Sequence, residues 1–180
     1  GKLFKKYNKK FSACSRILSL TPMKIKEYMD NGGERLQIGI ESGSQRVLDK
    51  IRKEVTVQQI IDRTKMVNDA GLGWTGFMIA DFPFENIEDL KLSKKMALQI
   101  KPTFISLNKF SPYIGTEIWN EYYLDCEDQD FISSFQLRTS DPITEKDFFM
   151  EQMFKDFDEY NKMRNEEKKT NEEKEILVEN

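Results

Sequence analysis

Arg35-Leu-Gln-Ile-Gly-Ile-Glu41, running straight into Ser42-Gly43-Ser44-Gln45, is the stretch from which the fold is read. Leu36, Ile38 and Ile40 share one face, the period of two that marks a strand with one side buried. Ser44 then stands just ahead of Val47, Leu48 and Ile51, which fall at i, i+1 and i+4 of a helix that Ser44 would cap. A strand that turns directly into a helix is half of a βαβ unit. The same grammar repeats on both sides of it.

Upstream, Phe11 to Ile17 alternates as a short strand, and Thr21-Pro22 supplies an N-cap followed by proline at the first helical position. That helix reads to about Asp30 and stops at Asn31-Gly32-Gly33, residues that tolerate a left-handed backbone. Downstream, Thr56 and Gln59 form a capping box, and Val57, Ile60, Ile61, Thr64 and Val67 make a helical stripe ending at Gly71. Trp74 to Ala80 is nearly continuous apolar text, as expected of a parallel strand buried on both faces. Asn86 caps a helix through Ile100, and Thr103 to Phe110 is a fourth strand closed by Ser111-Pro112. The order β-α-β-α-α-β-α-β with short connections predicts an α/β fold with about four parallel strands and right-handed crossovers. Four strands are too few to close an eight-stranded barrel, so the expectation is a partial (β/α) barrel with flanking helices and a C-terminal helical extension.

Around residues 11–124, which carry this pattern, lie three segments of different texture. Residues 1–10 form a basic arm with little to bury. Residues 125–161 form a helical extension: an acidic, turn-like start, then a helix from Thr144 whose Phe148, Phe149, Met153, Phe154, Phe157 and Tyr160 pack on the half-barrel. Residues 162–180 are dominated by Glu, Lys and Asn and read as solvated helix or disorder. An open half-barrel leaves strand edges unpaired, so self-association over the open side is expected.

The 180 residues carry 28 Lys+Arg against 31 Asp+Glu, a net charge of −3, which argues against a nucleic-acid footprint. No apolar run is long enough for a membrane span or a signal peptide. The absence of histidine removes His-based acid–base catalysis, nucleophile–His triads and most zinc and haem sites. Cys14 and Cys126 are 112 residues apart and imply neither a disulfide framework nor a metal cluster, which suggests a reducing cytoplasm. A chain that opens on Gly1 rather than Met is expected to be part of something longer.

Three strand ends hold the candidate chemistry, because loops and helix N-termini converge at the C-terminal edge of a parallel sheet. After the second strand, Glu41 and Ser42 offer an acceptor and a donor, and Gly43 relieves the turn. The structural alternative has Ser44 only capping its helix and Glu41 pairing with Arg35 or Arg46. After the third strand, Ala80-Asp-Phe-Pro-Phe-Glu-Asn86 offers a small-residue strand end suited to a nucleobase face, with Phe82 and Phe84 stacking on a ligand or roofing the core. After the fourth, Lys109 to Thr116 makes a pocket rim of an aromatic, a glycine and hydroxyls.

In order along the chain, Gly39-Ile-Glu-Ser-Gly-Ser-Gln-Arg-Val-Leu-Asp-Lys-Ile-Arg-Lys53, then Thr56 and its helix to Gly71, Phe77 to Pro83, and Ser111 to Thr116 resemble radical SAM enzymes. The similarity is strongest to the branch coupled to a cobalamin-binding domain, the methyltransferases and the anaerobic magnesium-protoporphyrin ester cyclase group. The resemblance spans about residues 11–122 and implies a partial barrel holding S-adenosylmethionine (SAM) over a [4Fe-4S] cluster. It places Glu41, Ser42 and Gly43 at the ribose-and-methionine end of SAM, Ile79 and Ala80 against adenine, and Arg16 or Arg52 at the SAM carboxylate. Lys109, Ser111, Tyr113 and Thr116 would line the substrate rim for a small molecule. The implied chemistry is hydrogen abstraction by a 5′-deoxyadenosyl radical, feeding methyl transfer or ring cyclisation, with cobalamin as a further cofactor of the parent.

Two departures bound this expectation. The CxxxCxxC motif that supplies three thiolates to such a cluster is absent, and Gly-x-Pro-Gly-Glu-Thr is replaced by Ala80-Asp-Phe-Pro-Phe-Glu-Asn86. The chain therefore reads as the C-terminal half of a larger catalytic barrel, inactive alone and lacking its N-terminal half. A scaffold module built on a degenerate half-barrel and a tRNA methylthiotransferase fragment are the alternatives.

Overall fold

The computed structural model describes residues 2–124 and 144–178, with side chains described over 4–124 and 144–171. Strands β1 (Phe11–Ser15), β2 (Gly33–Glu41), β3 (Gly73–Ala80) and β4 (Phe104–Lys109) form one sheet in the order β1-β2-β3-β4. Every neighbouring pair is parallel, as crossovers through helices require. The connecting helices are α2 (Pro22–Asp30), α3 (Gln45–Lys50), α4 (Val57–Asp69) and α5 (Ile87–Gln99), and α1 (Lys2–Lys6) precedes the sheet.

Local chemistry starts each helix where the chain predicts it. The Thr21 hydroxyl accepts from the Lys24 amide at 3.3 Å. The Thr56–Gln59 capping box is closed in both directions, and Asn86 and Asp89 form a second one ahead of α5. One sheet face is sealed by these helices: Ile38, Ile40 and Trp74 are fully buried with Leu48, Ile60, Val67 and Leu90. Residues of opposite parity lie on the other face. There Cys14 is exposed and donates to Gln37 Oε1 at 3.2 Å, and Phe77 and Ile79 are only half-buried. The expectation that β3 is buried on both faces therefore holds for the helix side alone. The second face is the concave side of an open sheet.

The C-terminal helix, α7 (Glu145–Val178), covers the outer edge of β4 and packs on α5. Met153 and Phe157 of the expected aromatic stripe are buried against the core, joined by Met150, whereas Phe148, expected to pack there, is exposed. The Asn161 amide accepts from the Ile105 N–H and donates to the Ile105 carbonyl, both at 2.8 Å, standing in for a fifth strand. Tyr160 donates to the Pro102 carbonyl at 2.6 Å, and Lys94 pairs with Asp156. The same helix continues through residues 162–178. Among the described residues, three short helices were not read from the sequence: α1 in the basic arm, where Phe4 packs tilted on Phe11, a 3-10 turn at Ile17–Ser19, and α6 (Glu117–Tyr122) after β4. The acidic turn and Cys126 lie outside the described residues. Among the described residues no helix is long and apolar enough to cross a membrane.

Candidate functional site

At the end of β2 the register with β3 slips between Gly39 and Glu41, leaving Ile40 as an extra residue. This bulge throws Glu41 into the left-handed region at φ 67°. Its carboxylate folds back and accepts from Lys53 Nζ at 2.7 Å. The pair lies over Gly39, where a Cβ would come within 2.4 Å of Glu41 Oε1 and 3.2 Å of Lys53 Nζ. Lys53 comes from the loop between α3 and α4, in which Arg52 and Glu54 also take positive φ, 52° and 55°. Three non-glycine residues in this region around one place store strain, and such strain clusters at ligand sites.

Beside the pair opens a cleft of about 450 Å³ at the ends of β1 and β2, lined among others by Ser15, Arg16, Gly39, Arg52, Lys53 and Glu54. Arg16, Arg52 and Lys53 line it together with Glu54, and two of these cations are already paired, Lys53 with Glu41 and Arg52 with Glu117. The structure thus brings together Arg16, Arg52 and the Glu41 region. Lys53, which holds Glu41 in place of the expected Arg35 or Arg46, was missed. Its only sequence signal is a cation twelve residues on, across a helix.

Ser42 and Gly43 are placed differently. Ser42 is fully buried, with its hydroxyl 2.9 Å from Ser93 Oγ and accepting from the Ser44 amide at 3.1 Å. The Gly43 amide donates to Ser93 Oγ at 2.9 Å, and a Cβ on Gly43 would lie 2.6 Å from the Leu92 carbonyl oxygen. Both residues fasten the turn to α5 and are spent there. Ser44 caps α3 and donates to Asp89 at 2.6 Å, while Arg46 pairs with Asp89 and donates to the Phe84 carbonyl at 2.9 Å. Burial pushes the Asp89 carboxyl up, but Arg46, Ser44 and the Asn86 amide together hold it below its ordinary value.

The end of β3 is built from a second acidic residue in the left-handed region, Asp81 at φ 73°. Its amide donates to Glu85 Oε2 at 2.6 Å, and its carboxylate meets Lys146 of α7 at 3.1 Å. Glu85 is buried, and its Oε1 has no hydrogen-bond partner. Burial pushes its carboxyl up to about 7 despite the Asp81 and Phe82 amides and the nearby Lys146. Phe82 is buried and packs with Phe84 and Phe110, ring centroids 5.5 and 4.7 Å away, in an aromatic cluster set apart from the main core. Ile79 is half-exposed, whereas Ala80 is buried and its carbonyl accepts from the Phe110 amide at 2.7 Å.

After β4, Lys109 is exposed, Ser111 half-buried and Tyr113 76% exposed. Thr116 caps α6 through the Trp119 amide and donates to the Tyr113 carbonyl at 2.8 Å. None of these four rim residues lines the Arg16–Arg52 cleft. Among the described residues no group of three or more His, Cys, Asp or Glu could hold a metal ion.

No family model matches the sequence. A curated protein of Pyrococcus horikoshii, named an uncharacterized methyltransferase, is 32% identical over 109 residues, which are 61% of this chain and 24% of that protein. Coproporphyrinogen III oxidase from Escherichia coli, described as a radical SAM enzyme, superposes with a TM-score of 0.58 over 81% of this chain and 31% of its own, at 13% identity. The two proteins share a fold. Methylornithine synthase gives a TM-score of 0.57 over 75% of this chain and 40% of its own, also at 13% identity. The chain thus spans about a quarter of the curated relative's length and less than half of either solved structure. The four strands form one contiguous open sheet, and the candidate cleft lies at the C-terminal ends of β1 and β2 alone.

Proposed function

We propose that this chain is the C-terminal part of the catalytic barrel of a radical SAM protein, contributing contacts to SAM and to a small-molecule substrate. The observation that carries the reading is the cleft at the end of β2, where Arg16, Arg52 and Lys53 converge beside Glu41 on a radical SAM fold. The two arginines suit the methionine carboxylate of SAM, which they would bind by charge-assisted hydrogen bonds. Glu41, oriented by Lys53, has acceptor capacity for the ribose hydroxyls or the ammonium group. Ile79 would offer an apolar strand end to adenine, and Lys109, Ser111 and Tyr113, outside the cleft, would meet the substrate. When bound, SAM would supply a 5′-deoxyadenosyl radical for hydrogen abstraction. The residues of this chain orient the cofactor and substrate around it.

The [4Fe-4S] cluster does not fit this chain. Three thiolates are needed, and the sequence holds two cysteines, of which Cys14 stands alone on the open sheet face. In this reading the cluster ligands come from residues outside this sequence, and the chain alone is inactive. Methyl transfer as the parent's chemistry, with cobalamin as its carrier, draws support from the name of the Pyrococcus horikoshii relative. Anaerobic reconstitution with iron and sulfide tests the assignment: the chain should retain only substoichiometric iron and form no deoxyadenosine from SAM under reduction. A stable brown species absorbing near 400 nm that cleaves SAM would overturn it.

A further inference from the structure

Arg52 faces two ways. It lines the cationic cleft, and its Nη1 also meets Glu117 Oε2 of α6 at 3.0 Å. Two residues earlier, Lys50 Nζ donates to Glu121 of α6 at 2.7 Å and sits over the rings of Phe84 and Tyr122, 5.7 and 5.6 Å from their centroids. Because α6 follows β4 whereas Lys50 and Arg52 follow β2, these pairs carry α6 across the strand end of β3. Tyr122 also meets Phe84 of the loop that closes β3, with tilted rings whose centroids are 6.0 Å apart. The inner side of α6 is anchored by Trp119, which is buried.

We propose that α6 is a releasable strap that regulates the cationic cleft: Glu117 occupies Arg52, and a carboxylate ligand entering the cleft takes Arg52 from Glu117 and loosens α6. This rests on the reading of the cleft as the SAM carboxylate site. The ion pairs are suited to release. The Arg52–Glu117 partners are each more than 70% exposed, and pairs of this kind hold weakly and are screened by salt. Arg52 both lines the cleft and pairs with Glu117, so one guanidinium can serve both partners in turn. Linkage makes the effect reciprocal: whatever frees α6 tightens carboxylate binding, and bound carboxylate frees α6.

The test compares the full chain with its Glu117→Gln variant, titrated with SAM and, separately, with citrate, a carboxylate without a nucleoside. Amide hydrogen exchange over 117–123 reads the strap, and calorimetry reads affinity. The strap predicts faster exchange over 117–123 when ligand is added to the parent chain, and about two- to five-fold tighter binding in Glu117→Gln, the range an exposed ion pair allows. If SAM binds neither protein while citrate produces both effects, the strap stands and the SAM reading of the cleft falls. Unchanged exchange in 117–123 on binding of either ligand, with equal affinity in the variant, overturns the strap. Glu121→Gln is the second variant: it should speed α6 exchange while gaining less affinity, since it leaves Arg52 paired. A gain equal to that of Glu117→Gln would contradict the role given to Arg52.

Discussion

The ends of β2 and β3 use the same device and support it from opposite directions. Each strand finishes on an acidic residue in the left-handed region, Glu41 and Asp81, and each turn leads to a capped helix. Glu41 is held by Lys53, twelve residues away, at the lip of an open cleft. Asp81 is held by Lys146, sixty-five residues on, beside a buried Glu85 with an oxygen left unpaired. The first end is assembled inside one βαβ unit and left open to a ligand. The second is closed by a distant helix.

That contrast can be broken by substitution. The largest effect is expected at Gly43, which has no room for a side chain because α5 backbone lies against it. Gly43→Ala should cost about 3 kcal/mol, the upper range for overpacking, in a urea melt. A loss below about 1 kcal/mol would mean that the turn does not depend on α5.

Next comes the pH profile set by Glu85. Its folded value, about 7, lies above the ordinary carboxyl value, so the folded state holds a proton that the unfolded chain releases. Stability is therefore expected to fall as pH rises from about 4.5 to about 7, by roughly 2–3 kcal/mol, and then to level off. Glu85→Gln should flatten this slope in melts at pH 5, 6, 7 and 8. An unaltered slope would assign it to other groups.

Smaller still, Asp81→Asn keeps a residue that tolerates the left-handed backbone but removes the charge facing Lys146. A loss of about 2 kcal/mol is expected, because the half-buried Lys146 ammonium loses its partner. Glu41→Gln at the other strand end should cost about 1 kcal/mol or less, since its pair is partly solvated. Equal losses at the two positions would erase the difference between the closed and the open end.

The two ends also differ in how far the sequence discloses them. Strand and helix positions followed from period and caps, because Leu36, Ile38 and Ile40 and the Thr56–Gln59 box act within a few residues of themselves. Arg16 and Arg52 are named as alternatives through the family resemblance, and no local pattern brings them to one cleft. The burial of Ser42 by Ser93, the Asp81–Lys146 pair and the Asn161 cover on Ile105 all join residues far apart in the chain. No local pattern encodes those contacts. The short helix α6 was missed although Thr116-Glu117 is a serviceable start, because six residues carry too little periodicity.

The central claim is that the open end of β2 is a SAM site, and SAM titration into the chain followed by backbone amide NMR tests it most directly. The account predicts saturable shifts at Arg16, Gly39, Glu41 and Lys53. In Glu41→Gln, with its fold intact by melting, affinity should weaken about ten-fold, as the loss of a charge-assisted hydrogen bond implies. Shifts confined to other parts of the chain, or equal affinity in Glu41→Gln, would contradict it.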